Sequence, residues 1–224
     1  MSGPGRDRIE PRSVELDTPH GTARARLHLV AQPAAALVLG HGAGGGVGAP
    51  DLLAATAAAR SLKLSVALVE QPYLVAGRRS QAPAAQLDEA WERAVAALRS
   101  DALAGLALIA GGRSAGARVA CRTAGGVQAA AVLCLAFPLH PPGRAGDPAK
   151  SRLTELEAVS VPTLVVQGER DPFGMPPAGP RREVVRVPGN HSLRSTAAVQ
   201  AAVEDWLAAR LTEAPRSAAG AASA

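Results

Sequence analysis

The sequence predicts a single α/β domain: a mostly parallel central sheet with helices on both faces and no inserted lid domain. Three observations predict it. Short apolar runs alternate with helix-length amphipathic stretches, as in Ala36–Leu39, Ser65–Val69, Leu106–Ala110, Ala130–Ala136 and Thr163–Gln167. Continuous apolar strands of this kind are buried on both faces, which requires helices above and below the sheet. The length, 224 residues, suits one domain with a core large enough to need no staples. Finally, the Ser, His, Asp and Gly clusters fall just after strands, where parallel sheets bind their ligands.

The elements follow in order. Residues 1–11 are rich in Gly, Pro and charge and read as a flexible N-terminus, with the folded domain at 12–211 and a disordered tail at 212–224. Val14–Asp17 and Thr22–Val30 alternate around Pro19-His20-Gly21, an antiparallel hairpin at a sheet edge. After Ala36–Leu39, Asp51 is placed to cap a helix reaching Leu62. A second helix covers about Ala85–Arg99, where Leu87, Ala90, Trp91, Ala94 and Leu98 form one stripe. Ala115–Thr123 is a helix ended by Gly125-Gly126, and Leu153–Val159 a short one. Glu183–Val187 is the last strand. Ser195 or Thr196 then caps a final helix facing inward with Val199, Val203, Trp206 and Leu207.

Composition excludes several functions. Aromatic residues are 2% of the chain, too few for the stacking platforms of single-strand nucleic-acid binders. The net charge of +5 comes from scattered Arg residues, with Lys only at 63 and 150. A biased composition explains it without a basic stripe, so no nucleic-acid partner is expected. Cys121 and Cys134 sit in apolar stretches, as reduced buried thiols do, and no CxxC or HxxxH suggests a metal. The start of the chain has no secretory apolar region and no run is long enough for a membrane span, so a cytoplasmic protein with no membrane partner is expected.

Four loops carry chemistry. Gly112-Arg113-Ser114-Ala115-Gly116 lies between a strand and a helix, a turn that lifts the serine above the sheet with a helix N-terminus behind it. A plain glycine-rich turn is the alternative. His191 follows the last strand and is the candidate base, since a hydroxyl is a weak nucleophile without one. Asp171, after Thr163–Gln167, can fix the tautomer of that histidine, with Glu169 as the competing acid and an Asp-Pro turn as the bland alternative. His41-Gly42-Ala43-Gly44-Gly45 can present backbone N–H groups of Gly42 and Ala43 to an oxyanion, with Ala115 N–H as another donor. No G-K-[ST] follows, so a phosphate loop is excluded.

Oxyanion loop, Ser, Asp and His appear in that order, each after a strand, which is the order of α/β-hydrolases. The chain also resembles a known family on the stretches LVLGHGAGG, PYLVAGRRS followed by LDEAW, GGRSAGARVA, FPLHPPGR, VPTLVVQGERDPFG and VPGNHSL, from Leu37 to Leu193. It is similar to small α/β-hydrolases of the dienelactone-hydrolase-like group. The likeness is nearest to the branch with a testis-expressed hydrolase-like protein and a subunit of the NSL histone acetyltransferase complex. The resemblance implies Ser114, Asp171 and His191 as a catalytic triad. Dienelactone hydrolases use cysteine where this chain has Ser114, so their chemistry is not carried over.

The expected activity is hydrolysis of small esters or thioesters without cofactor or metal. The alternative is a non-catalytic interaction scaffold on the same fold. A short Pro/Gly loop, not a lid, fills Phe137–Pro148, which implies an open site for short acyl groups. Arg78, Arg79, Arg113 and His140 are candidate substrate-binding residues, with Arg144 beside them, either attracting an anionic substrate or simply solvated or paired.

Overall fold

A computed structural model of the chain describes residues 11–144 and 147–213. Eight strands form one sheet: β1 (Arg12–Thr18), β2 (Gly21–His28), β3 (Ala35–Gly40), β4 (Leu64–Glu70), β5 (Leu108–Arg113), β6 (Ala131–Leu135), β7 (Thr163–Gly168) and β8 (Arg182–Val187). Their spatial order is β1-β2-β4-β3-β5-β6-β7-β8. The hairpin β1–β2 pairs antiparallel and sits at one edge, and β2 meets β4 antiparallel; every other neighbour is parallel. The helices are α1 (Pro50–Ser61), α2 (Pro72–Val75), α3 (Ala84–Ser100), α4 (Ala115–Thr123), α5 (Leu153–Glu157) and α6 (Thr196–Glu213).

The period-2 alternation of each strand splits the core into two layers. Leu37, Leu39, Val66, Leu68, Leu133, Leu135, Leu164 and Val166 face one side, with Ala55, Ala58 and Ala59 of α1 and Val199, Val203, Trp206 and Leu207 of α6. Val38, Ala67, Val69, Ala110, Val132, Cys134 and Val165 face the other, with Leu87, Trp91, Val95 and Leu98 of α3 and Val119 and Ala120 of α4. With few aromatics, close packing relies on small residues. A Cβ on Gly116 would lie 2.6 Å from the Gly40 carbonyl, and one on Gly112 2.8 Å from the same oxygen, so α4 lies against β3 only because both are glycine. Ion pairs lock the outer helices: Arg122 of α4 bridges Asp88 of α3 at 2.6 Å and Glu155 of α5 at 3.3 Å, and Arg118 holds Glu155 at 2.6 Å.

Several boundaries differ from expectation. Strand β5 starts at Leu108, since Leu106 follows a turn at Gly105, and it continues through Gly111-Gly112 to Arg113. Those glycines pair with Leu133 and Cys134, and a Cβ on Gly111 would come within 2.5 Å of the Leu133 carbonyl. Asp51 does not cap α1. The helix starts two residues earlier, at Pro50, with Ala49 at the cap position, and Asp51 is buried in the first turn. Helix α5 stops at Glu157. The Ser195 hydroxyl, just before α6, donates to the Pro188 carbonyl at 2.8 Å. The helix runs through Glu213, so the first two residues of the expected tail are helical. The rest of that tail and residues 1–10 of the expected flexible N-terminus lie outside the described residues. Between β6 and α5 the described residues contain only a 3-10 turn, Pro148–Lys150. Cys121 and Cys134 are both free and buried with their sulfurs 3.5 Å apart. Hydrogen bonding between them and burial push the Cys121 thiol well up.

Candidate active site

Ser114 stands between β5 and α4 with φ 53° and ψ −110°. A non-glycine residue with positive φ is strained, and it persists only when its surroundings fix it. Here the Ser114 N–H donates to the Leu135 carbonyl at 2.8 Å, and Gly112 and Gly116 on either side permit the tight turn. Because Ser114 precedes α4, the Ala115 amide is the first of that helix, one of four that a helix leaves without an intrahelical acceptor.

His191 reaches Ser114 from the loop after β8. Its Nε2 lies 2.9 Å from the Ser114 Oγ and its Nδ1 2.8 Å from the Asp171 Oδ2. Asp171 follows β7, and its carboxylate has no solvent exposure. Oδ1 accepts the Phe173 N–H at 2.9 Å, while Oδ2 also accepts the Gln167 amide at 2.9 Å. Glu169 is exposed and takes no part. The Phe173 ring meets the His191 imidazole edge-on, with centroids 4.3 Å apart. The Asn190 main chain sits where a Cβ of Gly168 would be, so the histidine loop rests directly on the end of β7. A hydroxyl, an imidazole and a buried carboxylate in series can move a proton off the hydroxyl and stabilise the cation that forms.

The loop after β3 is pinned by its own histidine. Nε2 of His41 accepts the Gln71 N–H at 3.0 Å, so the ring proton is on Nδ1, which donates to the Gly42 carbonyl at 2.7 Å. The ring is 3% exposed, and burial pushes its pKa below the ordinary 6.5. The Tyr73 hydroxyl donates to the Ala43 carbonyl at 3.0 Å. In a trans peptide the N–H points opposite to the carbonyl of the same plane. Fixing the Gly42 carbonyl therefore also fixes the direction of the Ala43 N–H. Gly42 lies against the nucleophile turn: a Cβ there would be 3.5 Å from the Ser114 Cβ.

The four expected substrate-binding residues are placed in different ways. The Arg113 side chain is 19% exposed and turned to the protein: its Nε lies 2.8 Å from the buried Asp51 Oδ2, and its Nη2 donates to the His191 carbonyl at 3.1 Å. The Asp51 contact is an ion pair without hydrogen-bond alignment. His140 is buried; its main-chain N–H donates to the Phe173 carbonyl and its own carbonyl accepts from Arg152. The expectation that Arg113 and His140 face substrate thus meets side chains occupied or enclosed by the fold. Arg78 and Arg79 are exposed. Arg78 lines a cavity of about 320 Å³ with His20, Gln71, Tyr73 and Gln86, beside the hairpin turn. Neither arginine pairs with Glu70 or Asp88 among the contacts described: Asp88 holds Arg122 and Glu70 lies 3.9 Å from Arg24.

Sequence reading missed three supporting residues: Gln167, His41 and Tyr73. The available signal was a polar residue closing an apolar strand (Gln167) and a histidine opening the glycine loop (His41). Tyr73 carried none. Among the described residues no group of three or more His, Cys, Asp or Glu is placed to hold a metal ion, and no helix is long and apolar enough to cross a membrane.

A model of the alpha/beta hydrolase domain matches residues 33–210. The chain belongs to the alpha/beta hydrolase family. No curated protein matches it. Among solved structures, this family member is similar to a serine hydrolase without a lid from Xanthomonas campestris, with TM-score 0.69 and 21% identity over 88% of this chain and 95% of that one. It is also similar to Est1E from Butyrivibrio proteoclasticus, with TM-score 0.71 and 13% identity over 90% and 99%. A dienelactone hydrolase from Anabaena variabilis gives TM-score 0.68 and 16% identity over 91% and 97%. At these identities the likeness is one of fold.

Proposed function

We propose that this alpha/beta hydrolase cleaves small ester or thioester substrates through an acyl-enzyme, with Ser114 as nucleophile, His191 as base and Asp171 as the orienting acid. The observation that carries the proposal is the unbroken series Ser114 Oγ, His191 Nε2, His191 Nδ1, Asp171 Oδ2, with links of 2.9 and 2.8 Å. Ser114 Oγ attacks the carbonyl carbon while its proton passes to His191 Nε2. The carbonyl oxygen becomes an oxyanion, held by the Ala115 N–H and by N–H groups of the Gly42–Ala43 segment, where His41 fixes the peptide plane that carries the Ala43 N–H. The intermediate collapses, and His191 returns the proton to the departing alcohol or thiol. Water then attacks the acyl-enzyme through the same base, releasing the acid and restoring Ser114.

The lidless surface supports short acyl groups, since each further CH₂ adds about 0.8 kcal/mol only where it is buried. Within the family, the motifs FPLHPPGR and GERDPFG support placement in the branch of the testis-expressed and NSL-complex hydrolase-like proteins. A non-catalytic scaffold has no physical need for this series of hydrogen bonds. The test is labelling with a fluorophosphonate and turnover of p-nitrophenyl acetate and a short acyl thioester, with Ser114→Ala as the blank. Labelling and turnover that vanish in the variant are expected. An unlabelled wild type, or a variant as active as wild type, refutes the proposal.

A further inference from the structure

We infer that Arg113 is a positioning residue: its guanidinium sets the reach of His191 toward Ser114 by tying the His191 main chain to Asp51 across the Gly42 loop. The inference rests on the hydrolase reading and assigns a different task to a residue whose place beside the nucleophile suggests substrate binding.

Three contacts carry it. The Arg113 Nη2 donates to the His191 carbonyl at 3.1 Å. The Nε lies 2.8 Å from the Asp51 carboxylate, which is wholly buried in the first turn of α1. The guanidinium also covers Gly42 so closely that a Cβ there would lie 2.8 Å from Nη1. One planar cation therefore touches the base loop, the oxyanion loop and α1, while its own backbone leads into the strained turn at Ser114. A rigid planar guanidinium can hold a hydrogen-bonded partner and an ion-paired one at a set angle, which an ammonium on a flexible stem cannot do. The buried carboxylate fixes where that guanidinium sits. Burial raises the Asp51 pKa and the Arg113 charge opposes that rise, so the pair depends on both members. A displacement of about 1 Å at a reacting group costs up to about 10²-fold in rate, so this tie need move His191 only slightly to matter.

The experiment uses Arg113→Lys, which keeps a cation beside Asp51, and Asp51→Asn. Both are measured as the full chain with neutral and carboxylated p-nitrophenyl esters of equal length, and by NMR of the His191 ring nitrogens and Nδ1–H. Arg113→Lys should lower kcat on the order of 10–100-fold for both esters alike, leave KM within about twofold and shift the His191 signals. Asp51→Asn should lower kcat in the same direction, and the double variant should add little to the larger single loss, as coupled residues do. Unmoved His191 signals overturn the inference whatever happens to the rate. A loss confined to KM for the carboxylated ester also overturns it, because Arg113 would then bind substrate. If the wild type neither turns over esters nor reacts with fluorophosphonate, the hydrolase reading falls, and the NMR comparison still decides whether Arg113 holds His191.

Discussion

The loop after β3 and the loop after β8 each bring a histidine to the carboxyl end of the sheet, and the two rings are held in opposite ways. His41 is enclosed by peptide groups: one nitrogen accepts the Gln71 N–H and the other donates to the Gly42 carbonyl. Both nitrogens are occupied, and nothing nearby favours a second proton enough to offset burial. His191 lies between a carboxylate and a hydroxyl, with its side chain 18% exposed. Its partners are side chains, one of them a buried carboxylate, where those of His41 are peptide groups. The same residue type in two Gly-flanked loops is thus a fixed strut in one and, in the proposed reaction, a proton carrier in the other. The partners decide, and they come from distant positions in the chain.

The sharpest way to break the comparison is to remove the proton carrier. His191→Gln should lower kcat for a short ester by about 10⁶, as loss of a triad base does, with thermal stability almost unchanged. A variant that retains a tenth of the activity would mean that another base serves Ser114. Asp171→Asn comes next, at about 10⁴, through the wrong imidazole tautomer. Glu169→Gln, on an exposed side chain, should change kcat by less than about twofold. The reverse order would move the acid two residues upstream.

The strut should fail more gently and in a different way. His41→Leu frees the Gly42 carbonyl and with it the plane carrying the Ala43 N–H. It should cost about 10²-fold in kcat, near the lower end of what losing an oxyanion donor costs. His41→Asn keeps a donor toward Gly42 and should lose less. Titration separates the strut from the carrier by stability. Burial lowers the folded-state pKa of His41 below its ordinary 6.5, so the unfolded chain takes the proton first as pH falls. The stability His41 contributes is full above the unfolded value and is lost as pH drops through the lowered folded value. Between about pH 8 and 5, the urea midpoint of the wild type should therefore fall further than that of His41→Asn. His28 is also lowered by burial, so the difference between the two proteins, not the wild-type fall alone, is the measure. Parallel falls would show that His41 binds protons equally in both states.

Much of this was legible in the chain because it is local. The central strands β3 to β7 carry continuous apolar runs, α4 was read to the residue, and Ser114, Asp171 and His191 each follow a strand at the carboxyl end of the sheet. The glycines hid the rest. Gly111 and Gly112 are strand residues whose missing side chains make room for the Leu133 and Gly40 carbonyls, a demand made by neighbouring strands and invisible along the sequence. Arg113 and His140 looked like substrate contacts because they are close in sequence to the nucleophile and to an open loop. Their actual partners, Asp51, His191 and Phe173, are set by the packing of separate loops. Gln167 presents the same difficulty, as a polar residue at the end of an apolar strand whose amide meets Asp171 only after the chain turns back at Gly168.

The smallest expected effect tests how much rigidity the oxyanion loop needs beyond His41. The Tyr73 hydroxyl donates to the Ala43 carbonyl at 3.0 Å, and the phenol is 5% exposed. Tyr73→Phe removes that one hydrogen bond and leaves the ring in place. A net hydrogen bond is worth about 1 kcal/mol, so the melting temperature should fall by only a few degrees. The catalytic effect depends on which peptide plane the hydroxyl controls. The Ala43 carbonyl shares its plane with the Gly44 N–H, whereas the Ala43 N–H belongs to the plane of the Gly42 carbonyl, which His41 holds. If the Ala43 N–H is the donor to the oxyanion, Tyr73→Phe should lower kcat by less than about fivefold and leave KM unchanged, while His41→Leu costs far more. A Tyr73→Phe loss as large as that of His41→Leu would place the working donor one residue further on, at Gly44. The ratio of the two losses, measured on one short ester at one pH, identifies which amide of the loop meets the developing charge.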